Sequence, residues 1–157
     1  MTKPNLVRFE ARREQAGLPA VTIRDLLRAT LRHRPDRLIL GEVRGGEAFD
    51  LLQALNTGHS GTLSTIHANS AGQALSRFTS CVLESGVELP YQAIRANIGD
   101  SLHLLVHLER RNGRRLVREA LRGEIRSPGR PVYYGTGDRV GVTTGYGKGY
   151  CLPIHSR

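Results

Sequence analysis

The sequence predicts an α/β fold with an incomplete sheet, and three observations support this prediction. Short apolar runs alternate with amphipathic stretches from Met1 to about Leu121, as strands and helices do in a layered α/β domain. Two amphipathic stretches follow a Ser or Thr residue with helix-capping spacing. Asn112-Gly113 separates two strand-like runs, and this pair is typical of two-residue hairpin turns. We therefore expect helices on both faces of a short sheet, followed by a C-terminal β-hairpin.

The first predicted elements are a strand, a capped helix and a second strand. Residues 5–10 alternate apolar and polar side chains as a strand does. Thr22 and Asp25 have the spacing of a capping box, which predicts that a helix starts there. Pro35 ends that helix, and residues 37–40 then predict a short buried strand.

The middle of the chain repeats this alternation. Residues 47–56 predict a second amphipathic helix, and residues 62–66 predict a second core strand. Ser70 and Gln73 repeat the capping spacing and predict the start of a third helix. A fourth, shorter helix is expected over residues 91–98. This order places polar segments directly after both core strands.

The last part divides into a hairpin and a tail. Leu102, Leu104, Val106 and Leu108 recur at every second position, as in a strand with one buried side. After the hairpin, glycine and arginine are frequent and large apolar residues are few. We therefore divide the chain into a partial domain, residues 1–123, and a tail, residues 124–157, that we expect to be poorly ordered.

Length and composition bound the function classes. The 157 residues suffice for one domain with a core but are few for a multidomain protein, so we expect a fragment or a single domain. The net charge of +9 suits nucleotide, nucleic acid or acidic lipid, and does not choose among them. Cys81 and Cys151 form no C-x-x-C pair, which favours a reducing cytoplasm over a zinc or disulfide framework. We expect at most peripheral membrane contact, since no apolar segment has the length of a signal peptide or a membrane span.

Glu42 is the first candidate for chemistry, because it lies at the carboxyl end of the predicted strand 37–40. Ligands of α/β sheets bind at that edge. A carboxylate there can orient or deprotonate an attacking water, or hold a magnesium-bound water, as phosphoryl transfer requires. The alternative is an exposed glutamate that opens a turn.

Two histidines flank the second predicted strand. His67 follows it and could donate a hydrogen bond to a phosphate oxygen, although a histidine in this position is often structural. The predicted helix start near Ser70 could add backbone N–H groups to such a site. His59 precedes the strand, and its alternative role is to cap the carbonyl groups of the preceding helix.

Two adjoining segments resemble a known family. The segments LLRATLRHRPDRLILGEVRGGEA and GHSGTLSTIHANSA are similar to the Walker B and His boxes of the type II/type IV secretion ATPase superfamily, and especially to its TrbB-like conjugal-transfer ATPases. The similarity runs from about Asn5 to Leu121. It implies a RecA-like P-loop ATPase core, with Glu42 as the catalytic Walker B acid and His67 in the box that contacts the γ-phosphate. Gly41 then occupies the place of the metal-side Asp of many other P-loop ATPases.

The resemblance also implies partners and cofactors. Members hydrolyse ATP with Mg²⁺ as ring hexamers, on the cytoplasmic side of an inner-membrane secretion or conjugation machinery. The metal is held mainly by the nucleotide and by parts outside this chain, so no metal ligand is assigned here. The partners expected are further copies or intact ATPase subunits. Nucleotide contacts in cis or across an interface are implied for Arg28, Arg32, Arg34, Arg44 and His59.

The arginines have a second interpretation. Arg24, Arg28 and Arg32 recur every four residues on one face of the first predicted helix. Such a pattern is typical of a solvated basic face, which we favour over charge stabilisation at a neighbouring subunit.

The superfamily's phosphate-binding loop, G-x-x-x-x-G-K-[ST], is expected upstream of residues 5–10. The segment Gly141–Tyr150 resembles it but has one residue too many before Gly147, and Gly149 replaces the hydroxyl residue. We reject it, and we expect the chain by itself to be inactive.

Other residue groups support weaker interpretations. His103 and His107 lie four residues apart on a predicted strand, about 13 Å, which is too far for one metal ion. The arginines around the hairpin could contact DNA or acidic lipid. The alternative function is therefore a non-catalytic basic module that binds DNA or an intact ATPase subunit.

Overall fold

A computed structural model describes residues 5–59 and 61–122 and the backbone of three further strands. No helix in this part of the chain is both long and apolar enough to span a bilayer. The elements, in chain order, are α1 (Ile23–Leu31), β1 (Ile39–Leu40), α2 (Glu47–Asn56), β2 (Leu63–Ser64), α3 (Ala71–Glu84), α4 (Tyr91–Ser101), β3 (Leu104–Arg111), β4 (Arg114–Arg122), β5 (Val132–Tyr134), β6 (Arg139–Thr144) and β7 (Lys148–Pro153).

The helices start where the capping patterns predict. The backbone N–H of Thr22 donates to Asp25 Oδ2 at 2.9 Å, and the Asp25 N–H donates back to Thr22 Oγ1 at 3.2 Å, which completes a capping box. At α3, the Ser70 hydroxyl oxygen accepts from the Gln73 N–H at 3.1 Å. Helix α4 is longer than predicted and continues to Ser101.

Strands β1 and β2 form a parallel pair with Ile39 opposite Leu63. Both strands are shorter than predicted, and the prediction of core strands covered on both faces was wrong. Ile39 is 71% exposed and Leu63 is 60% exposed. Among the described residues, no helix covers the face that carries these two side chains, whereas Leu38 on the opposite face is buried.

The core lies among the helices, with α2 in contact with α1, α3 and α4. Its amphipathic sequence folds this way because burying apolar side chains is the main favourable contribution to folding. The buried cluster consists of Leu27, Leu38, Val43, Ala48, Leu51, Leu52, Phe78, Cys81, Val82, Ile94 and Ile98.

The predicted strand at residues 5–10 is absent. These residues are exposed and lie in no strand, because no other described segment pairs with them. The first backbone pairing instead joins Arg12 and Val21, with N–O distances of 3.0 and 2.8 Å. It encloses a turn at Gly17, whose positive φ of 77° favours glycine.

The C-terminal hairpin was predicted correctly, but the prediction of which face of its first strand is buried was wrong. Asn112 and Gly113 have positive φ values of 49° and 78°, as a two-residue hairpin turn requires. Leu104 and Leu108 are 62% and 65% exposed, whereas His107 on the other face is half-buried. The inner face is the one that meets α3, where Glu119 Oε2 accepts from the Ala71 N–H at 2.8 Å.

The predicted tail contains β5, which pairs with β4, and the antiparallel pair β6–β7. Its remaining residues, including Gly147 of the rejected loop, lie outside the described residues. Poor order in the tail therefore stays a prediction, as does the boundary at residue 123.

Candidate functional site

The candidate site lies at the carboxyl ends of β1 and β2. The Val43 N–H donates to the Thr65 carbonyl at 2.8 Å, so the two chains stay paired beyond the strands. The Thr65 hydroxyl donates to the Gly41 carbonyl at 2.6 Å. Each of Glu42 and His67 follows its strand, as the sequence predicted, and they emerge side by side because parallel strands end at the same edge.

Glu42 contacts two basic side chains. Its Oε2 accepts from Arg44 Nε at 2.7 Å, and Arg44 Nη2 lies 2.6 Å from the same oxygen. Its Oε1 lies 3.2 Å from His67 Nε2. The Glu42 side chain is 21% exposed, whereas Arg44 and His67 are 74% and 82% exposed. Each Glu42 oxygen therefore contacts a basic side chain that is largely exposed to solvent.

These contacts determine the charge state of Glu42. The hydrogen bond from Arg44 lowers the pKa of the Glu42 carboxyl, and the charges of Arg44, His67 and Arg77 lower it further against the opposing effect of partial burial. The same pair raises the pKa of Arg44. Glu42 is thus a carboxylate at neutral pH and can accept a hydrogen bond from water.

The turn after Glu42 is held by a second carboxylate. Glu47 Oε1 accepts from the N–H groups of Arg44 and Gly45, at 2.6 and 3.0 Å. This contact fixes the backbone that carries Arg44. Gly41 has open space around it, because a Cβ there would meet no atom within 4 Å. A side chain would therefore also fit at this position.

An open pocket of about 300 Å³ lies next to His67. Three of its polar lining residues, Asn69, Gln73 and Arg77, were not predicted as site residues. The sequence did hold a signal for two of them, because Ser70 marks the start of α3 and Gln73 and Arg77 lie one helical turn apart on it. The lining residues are His67, Ala68, Asn69, Gln73 and Arg77.

The structure gives two arginines of α1 a different partner. Arg24 Nε and Arg28 Nε lie 2.6 and 2.9 Å from the two carboxylate oxygens of Asp50 on α2. Arg28 is still 63% exposed, as the favoured interpretation of a solvated basic face predicts, but Arg24 is only 35% exposed and both arginines also bind Asp50. Asp50 is 9% exposed, so this cluster joins α1 to α2.

The other predicted nucleotide contacts do not line the pocket. Arg32 and Arg34 are exposed at the end of α1, and Arg34 has a positive φ of 46°. Because α1 leads into the start of β1, this end lies away from Glu42. Nucleotide contact by Arg28, Arg32 and Arg34 stays a prediction.

His59 lies at the opposite end of the strand pair from His67. The loop that contains it adjoins the segment before β1, since a Cβ at Gly61 would lie 3.1 Å from the Asp36 carbonyl oxygen. The His59 N–H donates to the Ala54 carbonyl at 3.3 Å, a backbone contact that involves no imidazole atom. Its Nδ1 is buried without a partner among the described residues. Nucleotide contact by His59 also stays a prediction.

The fold and the site define a class of protein: an α/β protein whose polar site lies at the carboxyl edge of parallel strands and combines a carboxylate with several cations. Comparison with known families then gives the particular assignment. The family described as type II/IV secretion system protein matches residues 8–128, and the chain belongs to this family.

Individual relatives agree. The type IV secretion system protein PtlH of Bordetella pertussis is 49% identical over 96 residues, which are 60% of this chain and 28% of PtlH. The conjugal transfer protein TrbB of Rhizobium radiobacter is 45% identical over 96 residues, 61% of this chain and 28% of TrbB. These matches confirm the resemblance to the superfamily and to its conjugal-transfer members.

A solved structure is similar as well. The crystal structure of the VirB11 ATPase of the Brucella suis type IV secretion system, in complex with sulphate, has a TM-score of 0.61 and 34% identity. The match covers 65% of this chain and 32% of that one. The chain thus spans about a third or less of the length of these relatives.

Proposed function

We propose that Glu42 and His67 form the γ-phosphate side of an ATP-hydrolysing site in a motor for secretion or conjugation. The observation that carries the proposal is their 3.2 Å contact at the carboxyl ends of two paired strands, beside a pocket lined by Arg77. Membership of the type II/IV secretion family and the similarity to a VirB11 ATPase support it. The RecA-like arrangement of the intact domain belongs to the same proposal.

Glu42 would act on water. Its carboxylate accepts a hydrogen bond from a water molecule and orients the water oxygen toward the γ-phosphorus, as phosphoryl transfer requires. The new bond joins the water oxygen to phosphorus, and the bond to the bridging oxygen of ADP breaks. The water proton passes to the carboxylate or to the released phosphate. Arg44 holds Glu42 in place and keeps it ionised.

His67 would report on the γ-phosphate. Its Nε2 lies 3.2 Å from Glu42 Oε1, close enough for the carboxylate to attract the imidazole. A phosphate oxygen in the neighbouring pocket offers a stronger acceptor, so the imidazole would exchange one partner for the other. Because the side chain is 82% exposed, it has room for this movement.

The residues present also bear on Mg²⁺. The described residues contain no group of three or more His, Cys, Asp or Glu side chains that could enclose a metal ion. A single carboxylate such as Glu42 suits contact with Mg²⁺ through its bound water, because this ion retains much of its hydration. Bound Mg²⁺ would neutralise charge on the phosphates.

The larger assembly is also a proposal. We propose that the intact protein works in a secretion or conjugation machinery, since its relatives are named as parts of such systems. A homo-hexamer on the cytoplasmic side of the inner membrane, which the family resemblance implies, belongs to the same proposal. Arg28, Arg32, Arg34 and His59 are then candidates for contact with a neighbouring subunit, because they lie outside the pocket.

Glu42→Gln tests the catalytic proposal. The amide keeps the shape but loses the negative charge, and we expect phosphate release to fall about 100-fold or more. Colorimetric phosphate release would be measured in a protein that carries this segment together with a phosphate-binding loop, which the printed sequence does not contain. Glu88→Gln, at an exposed position after α3, is the matched control and should keep full activity. Unchanged release by Glu42→Gln would exclude the role of Glu42.

A further inference from the structure

We propose that Arg77 is the principal protein ligand of the phosphate group that the proposed function expects in the pocket beside His67. This inference rests on the proposed function and extends it to residues to which neither the sequence motifs nor the family resemblance gave a role. Arg77 lies two turns into α3, outside both motif segments that carried the resemblance.

The lining of the pocket favours an anion with several acceptor oxygens. Arg77 and Gln73 come from the same face of α3, and His67 and Asn69 come from the segment before it. The guanidinium, the two amides and the imidazole all offer N–H donors. The planar fork of Arg77 matches two oxygens of one phosphate group.

The charge of Arg77 is available to a ligand. Within the described chain, Arg24, Arg28, Arg44 and Arg118 each lie within 4.0 Å of a carboxylate, whereas no such contact is found for Arg77. Its charge also acts at the site, because it contributes to the lowered pKa of Glu42. A phosphate in the pocket would therefore meet an uncompensated cation close to the proposed catalytic carboxylate.

Two backbone donors at the start of α3 already have partners, which leaves the side chains as the main donors to a ligand. The Ala71 N–H already donates to Glu119 Oε2 at 2.8 Å, and the Gln73 N–H donates to Ser70 Oγ at 3.1 Å. These two amide groups of the first turn are thus occupied. Removal of one side-chain cation should consequently have a large effect on affinity.

The ligand chemistry has two possible sources. One is the terminal phosphoryl group of a nucleoside triphosphate, and the other is the inorganic phosphate released by hydrolysis. Both present oxygens of the same geometry and charge type to Arg77. Titrations with tripolyphosphate and with inorganic phosphate distinguish the two sources.

The test is a titration of the full 157-residue chain with each ligand at constant ionic strength, followed by the ¹H–¹⁵N signals of His67, Asn69 and Gln73. We expect Arg77→Gln to weaken binding about tenfold or more, because it removes a charge-assisted hydrogen bond. Arg95→Gln is the matched control: Arg95 is an exposed arginine on α4, over the Tyr91 ring, and its loss should change affinity less than about twofold.

Arg77→Lys tests the guanidinium geometry separately, because it retains the positive charge and loses the planar pair of N–H donors. We expect it to bind at an affinity between those of the original chain and Arg77→Gln. Circular dichroism would show that each variant is folded. Equal weakening by Arg77→Gln and Arg95→Gln would overturn the proposal, as would signal shifts that chloride reproduces at the same ionic strength.

The proposed function and this inference can fail separately. Glu42 is not among the pocket's lining residues, so Glu42→Gln should still bind phosphate even if Glu42 proves dispensable for hydrolysis. Conversely, Glu42→Gln could abolish hydrolysis while Arg77→Gln and Arg95→Gln bind phosphate equally well. That result would support the catalytic role of Glu42 and exclude Arg77 as the phosphate ligand.

Discussion

Two carboxylates in this chain are each held by two basic side chains, but their surroundings differ. Asp50 is 9% exposed and binds Arg24 and Arg28 between α1 and α2. Glu42 is 21% exposed and binds Arg44 and His67 at the edge of the β1–β2 pair. The first cluster joins two helices, whereas the second faces an open edge beside a pocket. Burial and position therefore separate a structural ion cluster from a candidate functional one.

The largest expected effect on stability comes from the Asp50 cluster. Asp50→Asn leaves two arginines without their common anion between α1 and α2, and we expect the free energy of unfolding to fall by about 2 kcal/mol. The value lies below that of a fully buried pair because Arg24 and Arg28 are 35% and 63% exposed. Urea denaturation followed by circular dichroism measures the change.

Glu42→Gln is the matched comparison for that experiment. It removes the carboxylate charge from the exposed cluster, so the urea midpoint should stay close to that of the original chain. Equal loss of stability in the two variants would show that both clusters are structural, and the contrast between them would be lost.

A smaller effect is expected at the helix caps. Thr22 caps α1, which carries the arginines of the Asp50 cluster, and Thr22→Ala should lower the free energy of unfolding by about 1 kcal/mol. Phosphate binding in the pocket should not change. Ser70→Ala removes the cap of α3 and should weaken phosphate binding as well, because Gln73 and Arg77 lie on that helix. If Thr22→Ala weakened phosphate binding as much as Ser70→Ala, the two regions would not be independent.

The smallest effect concerns the titration of Glu42. Arg44 lowers the pKa of this carboxyl below its ordinary value, so the pair stabilises the folded chain above that value and loses this contribution as the pH falls through the lowered pKa. We expect Arg44→Gln to raise the pKa of Glu42 toward its ordinary value. A pH titration of the ¹³C carboxyl signal measures the shift, and an unaltered signal would contradict the contact.

Local sequence signals predicted the helices and the hairpin well. The Thr22–Asp25 and Ser70–Gln73 patterns and the Asn112-Gly113 turn depend on interactions within a few residues, which the structure reproduces. Alternation of apolar residues was less informative. It predicted a strand at residues 5–10 that has no partner, and it predicted a buried face for Leu104 and Leu108 that is exposed.

The candidate site shows the same division. That Glu42 and His67 lie at one edge follows from where each stands after a predicted strand, given that paired parallel strands end together. The partners of the basic residues could not be read from spacing. Arg28 turns to Asp50, 22 residues away, whereas Arg77 reaches the pocket because α3 packs beside His67.

The sequence by itself determined the α/β class, the starts of the capped helices, the hairpin turn and the segments that carry Glu42 and His67, because these features depend on contacts between near neighbours in the chain. The tertiary structure decided which face of each strand is covered, which arginines are bound to Asp50 and which cation remains open beside the pocket. These features depend on how segments that are distant in the chain pack together, because the element packed against a side chain decides whether it is buried and whether its charge has a partner.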